Sequence, residues 1–552
     1  MKSLRFILAA ALVSLAAACT SAPRNGVPDK IKPTKNLIVM ITDGTSSSLL
    51  ATARWYHRYM SDSLEWKLNL DPWLCGFVQS RLSDAIIPDS APAMSGYMTG
   101  VPSRAGNISI YPEPHPGQDV VPTDPARAYQ PATTILEAAQ VLKNKAVGVA
   151  VTCIFPHATP GATSAHTAVR GRYQDIAYQM ASHGLDVIFG GGSRFINDEI
   201  REIAADKGVT VAIDDLKAFR AAEGKTWAIF NGDSMDFELD RDPEDEPSLS
   251  EMTEKALEIL SKDKDGFCLM IEGSKVDNGA HSKDPIETIT EFIEFDKAFG
   301  KALEFAKKNG NTTIVVLPDH GNSGITLGDA NYRGYSSKGM DSMFVNMKNY
   351  KMSSAKLTSL MRDTEDSEMV EVFKKWTGID LKPAEITLLR RGLGRIEDDY
   401  MKVSGSVNLQ SVICQILTSR THIGFTSGNH TGEDVFLAVY NPNDQRPTGV
   451  ITNSELNEYM CSILGLDKPL SDVTDQYFAP AKKVFEGLEM SVEDGKNYKT
   501  LVVKGNGHTL RVPAFLSVAD LDGKPVAVTL PTVYQKENDS FYVDSALGAL
   551  LK

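Results

Sequence analysis

Cysteine is scarce in this chain, at six in 552 residues. No two cysteines form a CxxC pair, and the five beyond Cys19 (Cys75, Cys153, Cys268, Cys414 and Cys461) are odd in number. That pattern fits neither a disulfide framework nor a cysteine-built zinc site. Cys153 and Cys268 sit in the apolar runs AVGVAVTC and GFCLMI, as small buried core residues do. Metal binding and catalysis by cysteine are therefore disfavoured. Positive charge is also in deficit: the net charge is −14, which argues against a nucleic-acid binder with a basic face. An anionic substrate stays open, because a bound metal ion outweighs the global sign inside a site. There is no GxSxG elbow, no internal repeat, and no Gly-Lys-Ser/Thr after the glycines of GGGS (190–193), so no phosphate-cradling P-loop. Beyond the N-terminus no stretch is long and apolar enough to be a membrane helix.

The N-terminus does carry a signal. MKSLR is basic, FILAAALVSLAAA is apolar but short for a bilayer, and Ala16–Ala18 precede Cys19. We read residues 1–18 as a lipoprotein signal peptide, Cys19 as a lipidated anchor and 19–35 as a tether. This places the protein in the periplasm or at the outer membrane. The plain alternative is a signal peptide cut after Ala18.

From residue 36, short apolar runs alternate with amphipathic stretches, the pattern of βαβ units. Strands are predicted at AVGVAVTC, DVIFGGG, GFCLMIEG, TTIVVLPD and DVFLAVYNP. A helix-like stretch holding Arg170 should follow the first. A long helix runs from Ile286 to Ala306 and stops at Asn309-Gly310. The expected fold is α/β, with a catalytic core over 36–328 and 416–470. Residues 329–415 are polar and read as an insertion over the site's rim, with helices at DSEMVEVFKKW and PAEITLLRR. Residues 480–552 read as a small β-rich C-terminal module.

Acidic residues and histidines gather just past the strand runs. Asp43 follows NLIVMIT, Glu272 and Asp277 follow FCLMI, and Asp319-His320 follow TTIVVLP. In open parallel sheets, ligands bind outside the carboxyl ends of the strands, and His with Asp or Glu is a divalent-metal ligand set. Asp277 and His281 are one helical turn apart and could chelate one ion. Adjacent Asp319 and His320 can converge only if the strand has already ended. Each signal is weak alone, since a DxxxH pair is more often a surface pair. Ser90 in PDSAPAM would ordinarily read as a helix cap with Asp89. Beside metal ligands it becomes a candidate nucleophile, activated by coordination.

The order of the segments resembles the alkaline phosphatase family. ITDG, DSAxxxxxxxTG (89–100), HATPGATSAHTAVR (157–170), DVIFGGG, EPSLSEMTEKAL, IEGSKVDNGAH, PDH and HTGEDV stand in the family's sequence. The likeness covers roughly 36–330 and 420–465. It implies a three-layer α/β/α sandwich around a large, mostly parallel sheet, hydrolysis of phosphate monoesters through a phosphoserine, and a site for two Zn2+ and one Mg2+. By the resemblance, Asp277, His281 and His430 hold one zinc, while Asp43, Asp319 and His320 hold the other with Ser90. Asp43, Thr159 and Glu272 hold the magnesium, and Arg170 clamps the phosphate. His157 and Asn278 vary within the family and would lie just behind the third ion and the phosphate. Glu238 and Glu246 match positions that bind Ca2+ in animal-type members, although an acidic loop is more often just solvated. Many members are homodimers. Two other functions remain: a phosphodiesterase, against which Thr159 and Glu272 argue, and an inactive binding protein, against which the complete ligand set argues. A sulfatase would need Arg where Met94 stands.

Overall fold

The computed structural model describes residues 26–61, 63–330, 332–334, 339–396 and 407–551. The signal peptide and Cys19 lie outside these, as do parts of the 329–415 segment. No described helix is long and apolar enough to cross a membrane.

β1 (Asn36–Thr42) is buried along its whole length. Its side chains divide between two cores, Leu37, Val39 and Ile41 on one face, Ile38 and Met40 on the other. A strand apolar on both faces must be covered on both, which makes this a three-layer α/β/α structure. Nine more strands complete the sheet: β2 (Leu74–Gln79), β3 (Ala146–Ile154), β4 (Val187–Gly191), β5 (Thr210–Ile213), β6 (Thr226–Ile229), β7 (Phe267–Gly273), β8 (Thr312–Leu317), β9 (Val435–Tyr440) and β10 (Gly449–Thr452). Their spatial order is β10-β2-β9-β8-β1-β7-β3-β4-β6-β5. Every pairing is parallel except those of β9, which is antiparallel to β2 and β8.

The central register positions the site. Ile41 pairs with Glu272 of β7 and Leu317 of β8, and Val151 of β3 pairs with Glu272. Four neighbouring strands thus end at one edge, and the residues after them stand side by side. Three helices matter there: α1 (Ser90–Thr99), α2 (Lys275–Ser282) and α3 (Pro285–Asn309). α3 is capped by Asp284, whose carboxylate accepts from the Ile286 and Glu287 N–H groups, and it ends at Gly310 with φ 69°.

The expected helix around Arg170 does not form. A four-residue helix, Ala158–Gly161, gives way to a turn that carries Arg170, and the next helix begins at Tyr173. Among the described residues between Asp341 and Thr418, helices form over Ser354–Asp363 and Leu409–Thr418 in addition to Met369–Thr377 and Pro383–Gly392, the two segments expected from sequence. The C-terminal part folds as a five-stranded antiparallel sheet spanning Glu489–Ala527. Its last residues, Ser545–Leu551, form a 3-10 helix. Leu501, Val503 and Leu510 join the same buried cluster as Met180 and Leu185, so this part shares the main core.

Candidate active site

Each candidate residue is delivered by a particular local structure. Asp43 and Asp319 lie one and two residues past β1 and β8, free of strand alternation, so Asp319 and His320 both turn inward. Asp277 and His281 share one face of α2, with His281 Nε2 3.4 Å from Asp277 Oδ2. His430 arrives on a two-residue antiparallel bridge, His430–Thr431 against Gly321–Asn322, which sets it beside His320. The two imidazoles stack with centroids 3.7 Å apart.

The histidine tautomers follow from backbone carbonyls, which only accept. Nδ1 of His281 donates to Gly428 O (2.9 Å), Nδ1 of His430 to Pro88 O (2.8 Å), and Nδ1 of His320 to Gly321 O (3.2 Å). All three therefore turn an Nε2 lone pair into the site. The Nε2 atoms of His281 and His430 lie 3.2 Å apart, and that of His430 is 3.7 Å from Asp277 Oδ1. His320 Nε2 is 3.5 Å from Asp43 Oδ1 and 3.4 Å from Asp319 Oδ2. Lone pairs and carboxylates at these separations repel unless a cation lies among them.

Among the described residues, two groupings are tight enough for one ion each: Asp43, Asp319 and His320, and Asp277, His320 and His430. The first has the protein ligands expected for one zinc. In the second, His320 stands where His281 was expected, and His281 is its more exposed neighbour. Asp43 Oδ1, Asp319 Oδ2, Glu272 Oε1 and Thr159 Oγ1 are buried without a hydrogen-bond partner. Such atoms are costly to bury unmet, and they are the oxygen donors a divalent cation takes. The residues present fit the metals that the resemblance implies. Without a cation, burial and then the charge of Asp319 raise both acids, Asp43 well above its ordinary range and Glu272 to about 8.

Ser90 opens α1, buried, with Oγ 3.1 Å from His320 Nε2. Asp89 sits at the cap position but makes no cap bond. Its carboxylate instead pairs with Arg170, and against the opposing effect of burial that cation holds it below the usual carboxylate range. Arg170 also donates to His157 Nε2 at 3.3 Å. Burial and the Arg170 charge push His157 down to about 4, so it is neutral here. His157 and the exposed Asn278 line the same cavity as Asp43, Ser90, Arg170, Asp277, His281 and His430, with a volume of about 410 Å³.

Tyr173, Arg194, Asp233, Ser234 and Ser274 line this cavity too and were not singled out from sequence, as does Cys153, which the sequence places in the core. Arg194 and Asp233 form an ion pair across two turns that no spacing links. Glu238 and Glu246 lie elsewhere. Arg241 forks onto Glu238 at 2.8 and 3.0 Å, and Glu246 accepts from Asn231 and from the Asp236 N–H. The charge of Glu238 is thus met by the Arg241 guanidinium in this structure.

A serine at a helix N-terminus, facing paired His–carboxylate clusters beyond parallel strands, is the arrangement of a metal-assisted hydrolase. Residues 34–466 match the alkaline phosphatase family. Alkaline phosphatase 3 of Bacillus subtilis is 28% identical over 467 residues, 81% of this chain and 92% of that protein. The alkaline phosphatase of Schizosaccharomyces pombe is 27% identical, covering 80% and 83%. Among solved structures, Thermus thermophilus alkaline phosphatase superimposes with a TM-score of 0.69 at 23% identity, covering 81% of this chain and 96% of that one. A mutant of the alkaline phosphatase from the Antarctic bacterium TAB5, with Mg bound in its M3 site, gives 0.54 at 21% identity, covering 80% and 100%. The chain belongs to the alkaline phosphatase family and is a phosphomonoester hydrolase.

Proposed function

We propose that the chain hydrolyses phosphate monoesters through a phosphoserine at Ser90, at a site for two zinc ions and one magnesium ion. The observation that carries this reading is the convergence around Ser90 of three inward Nε2 lone pairs and four unmet buried oxygens, with Arg170 in the same cavity. Asp43, Asp319 and His320 would hold one zinc, and Asp277 and His430 with His281 the other. Asp43, Thr159 and Glu272 would hold the magnesium, the ion bound in the TAB5 mutant. Bound there, the cations supply the charge that stabilises attacking and leaving oxygens and favours an ionised nucleophile near neutral pH.

The chain's own residues do the rest. Ser90 Oγ attacks phosphorus in line and the alcohol departs. Water then attacks the phosphoserine from the vacated side, so two inversions return the original configuration. Arg170 binds non-bridging oxygens with its planar fork, held in place by Asp89. The positive end of the α1 dipole lies at Ser90 and favours the added negative charge. Steady-state turnover of p-nitrophenyl phosphate, the matched phosphodiester and the sulfate, with zinc and magnesium and after chelation, tests the reading. Metal-dependent preference for the monoester is expected. Preference for the diester or sulfate overturns the roles of Thr159 and Glu272, and no turnover of any ester overturns the enzyme reading.

A further inference from the structure

Arg170 stands on a turn and not in a helix, so its aim depends on what holds the chain to either side. On the N-terminal side, His166 is tied by Nδ1 to Ser109 O (2.7 Å) and by Nε2 to Glu137 (2.9 Å). On the other side, Arg172 sits at the cap position of the helix Tyr173–His183. The family match ends at residue 466. Beyond it, Ala479–Pro480, Val533–Gln535 and Ser540–Val543 form a small antiparallel sheet, and this sheet reaches both flanks of Arg170. Phe478, just before the first strand, packs edge-on against the His166 ring with centroids 4.6 Å apart. The buried Gln535 donates from Nε2 to His166 O at 3.4 Å. In the turn that follows, Glu537 accepts from both arms of the Arg172 guanidinium, the longer contact being 3.3 Å.

We propose that Glu537 is a positioning residue for the phosphate clamp, acting on Arg170 through Arg172, so that the C-terminal part serves the reaction as well as the core. The inference rests on the reading of Arg170 as the clamp. A single exposed ion pair would fix little. This one is a two-armed fork whose side chains are only 21% and 22% exposed, and a fork sets orientation as well as distance. The turn that carries Glu537 is itself braced. Gln535 pairs with Ser540 across the hairpin. Asn538 donates to Tyr542 Oη at 2.8 Å, and Tyr534 Oη donates to Asp539 at 2.7 Å. Between Arg172 and Arg170 lies only the exposed Gly171, so a shift at Arg172 passes to the clamp. Arg170 has two other holds, its N–H on Gly106 O at 2.8 Å and its guanidinium on Asp89. Loss of the fork therefore misplaces the clamp without releasing it, and a displacement of about 1 Å is already costly in a binding site.

The competing account is a clasp that only stabilises the C-terminal part. Inhibition of p-nitrophenyl phosphate turnover by inorganic phosphate separates the two in the full chain loaded with zinc and magnesium. It is measured in Glu537→Gln, in Arg172→Gln, in the two combined, and in each joined to Arg170→Ala. Positioning predicts that either single variant weakens inhibition about three- to tenfold with metal content retained. The two combined should cost no more than either alone. In the Arg170→Ala chain the same changes should alter inhibition by less than about twofold, because their route is gone. Unchanged inhibition in either single variant, or equal weakening with and without Arg170, overturns the assignment while the clamp stands. If Arg170→Ala itself leaves inhibition unchanged, the clamp reading has failed and the positioning falls with it.

Discussion

The site depends first on two side chains with different tasks. Ser90→Ala removes the proposed nucleophile and leaves in place the six histidine and carboxylate side chains proposed to hold the two zinc ions. Turnover of p-nitrophenyl phosphate should fall by at least about a thousandfold while zinc content, measured by mass spectrometry, stays as in the native chain. Full activity in that variant would refute the nucleophile. Arg170→Ala removes charge-assisted hydrogen bonds of about 1.5–3 kcal/mol, so inhibition by inorganic phosphate should weaken roughly 10- to 100-fold with the metals retained. Unchanged inhibition would refute the clamp. Sequence made Asp43, Glu272 and Asp319 at the ends of β1, β7 and β8 visible because each follows an apolar run, and the pair in α2 because it has one-turn spacing. Arg194 and Asp233 were invisible because they meet only through space. Cys153 was hidden by lying in an apolar strand, where a buried thiol is the ordinary occupant.

At the level of elements, the site is a set of strand ends, and the turns that follow them are tight. Gly44, directly after Asp43, has φ 61°, and a Cβ there would stand 2.2 Å from Asp277 Oδ1 and 2.8 Å from Asp277 Cα. The contact includes backbone of α2, which cannot step aside cheaply. Gly44→Ala should therefore displace a metal ligand, lowering both zinc retention through gel filtration and kcat/KM, the latter by about tenfold or more. Native metal content and rate in that variant would show that α2 can shift without harm. Strands β1, β3, β4, β7, β8 and β9 were legible as apolar runs, but β2, β5, β6 and β10 were not, nor was the order, since parallel neighbours are joined by crossovers that leave no mark in local pattern. Nor was the bridge that brings His430 to His320, only two residues long on each side. The strand Glu489–Asp494 escaped notice because it is almost wholly exposed and its alternation rests on two apolar residues only, Met490 and Val492.

For the molecule as a whole, the decisive feature is acidic charge drawn inward. Burial is the main cause that raises Asp43, Glu272, Glu287 and Glu291, with Glu272 at about 8 and Glu291 at about 7. A carboxyl raised by folding holds its proton where the unfolded chain has already lost it. Its stabilising contribution is therefore complete below the ordinary value of 4.5 and is lost as pH climbs from there through about 8. The chelated protein should show a melting temperature that falls between pH 5 and pH 8. Glu272→Gln should flatten that slope without abolishing it, because Glu287 and Glu291 remain. On the proposed reading, cations bind the folded site in place of protons, so loading with zinc and magnesium should raise the melting temperature by a few degrees and do so most at pH 8, where the unmet negative charge is greatest. Calorimetry of chelated, loaded and Glu272→Gln protein across this range checks all three. A chelated protein that grows more stable from pH 5 to pH 8 would mean that the site's carboxylates are already neutralised by the chain itself, and that cations are not what the fold has been built to receive there.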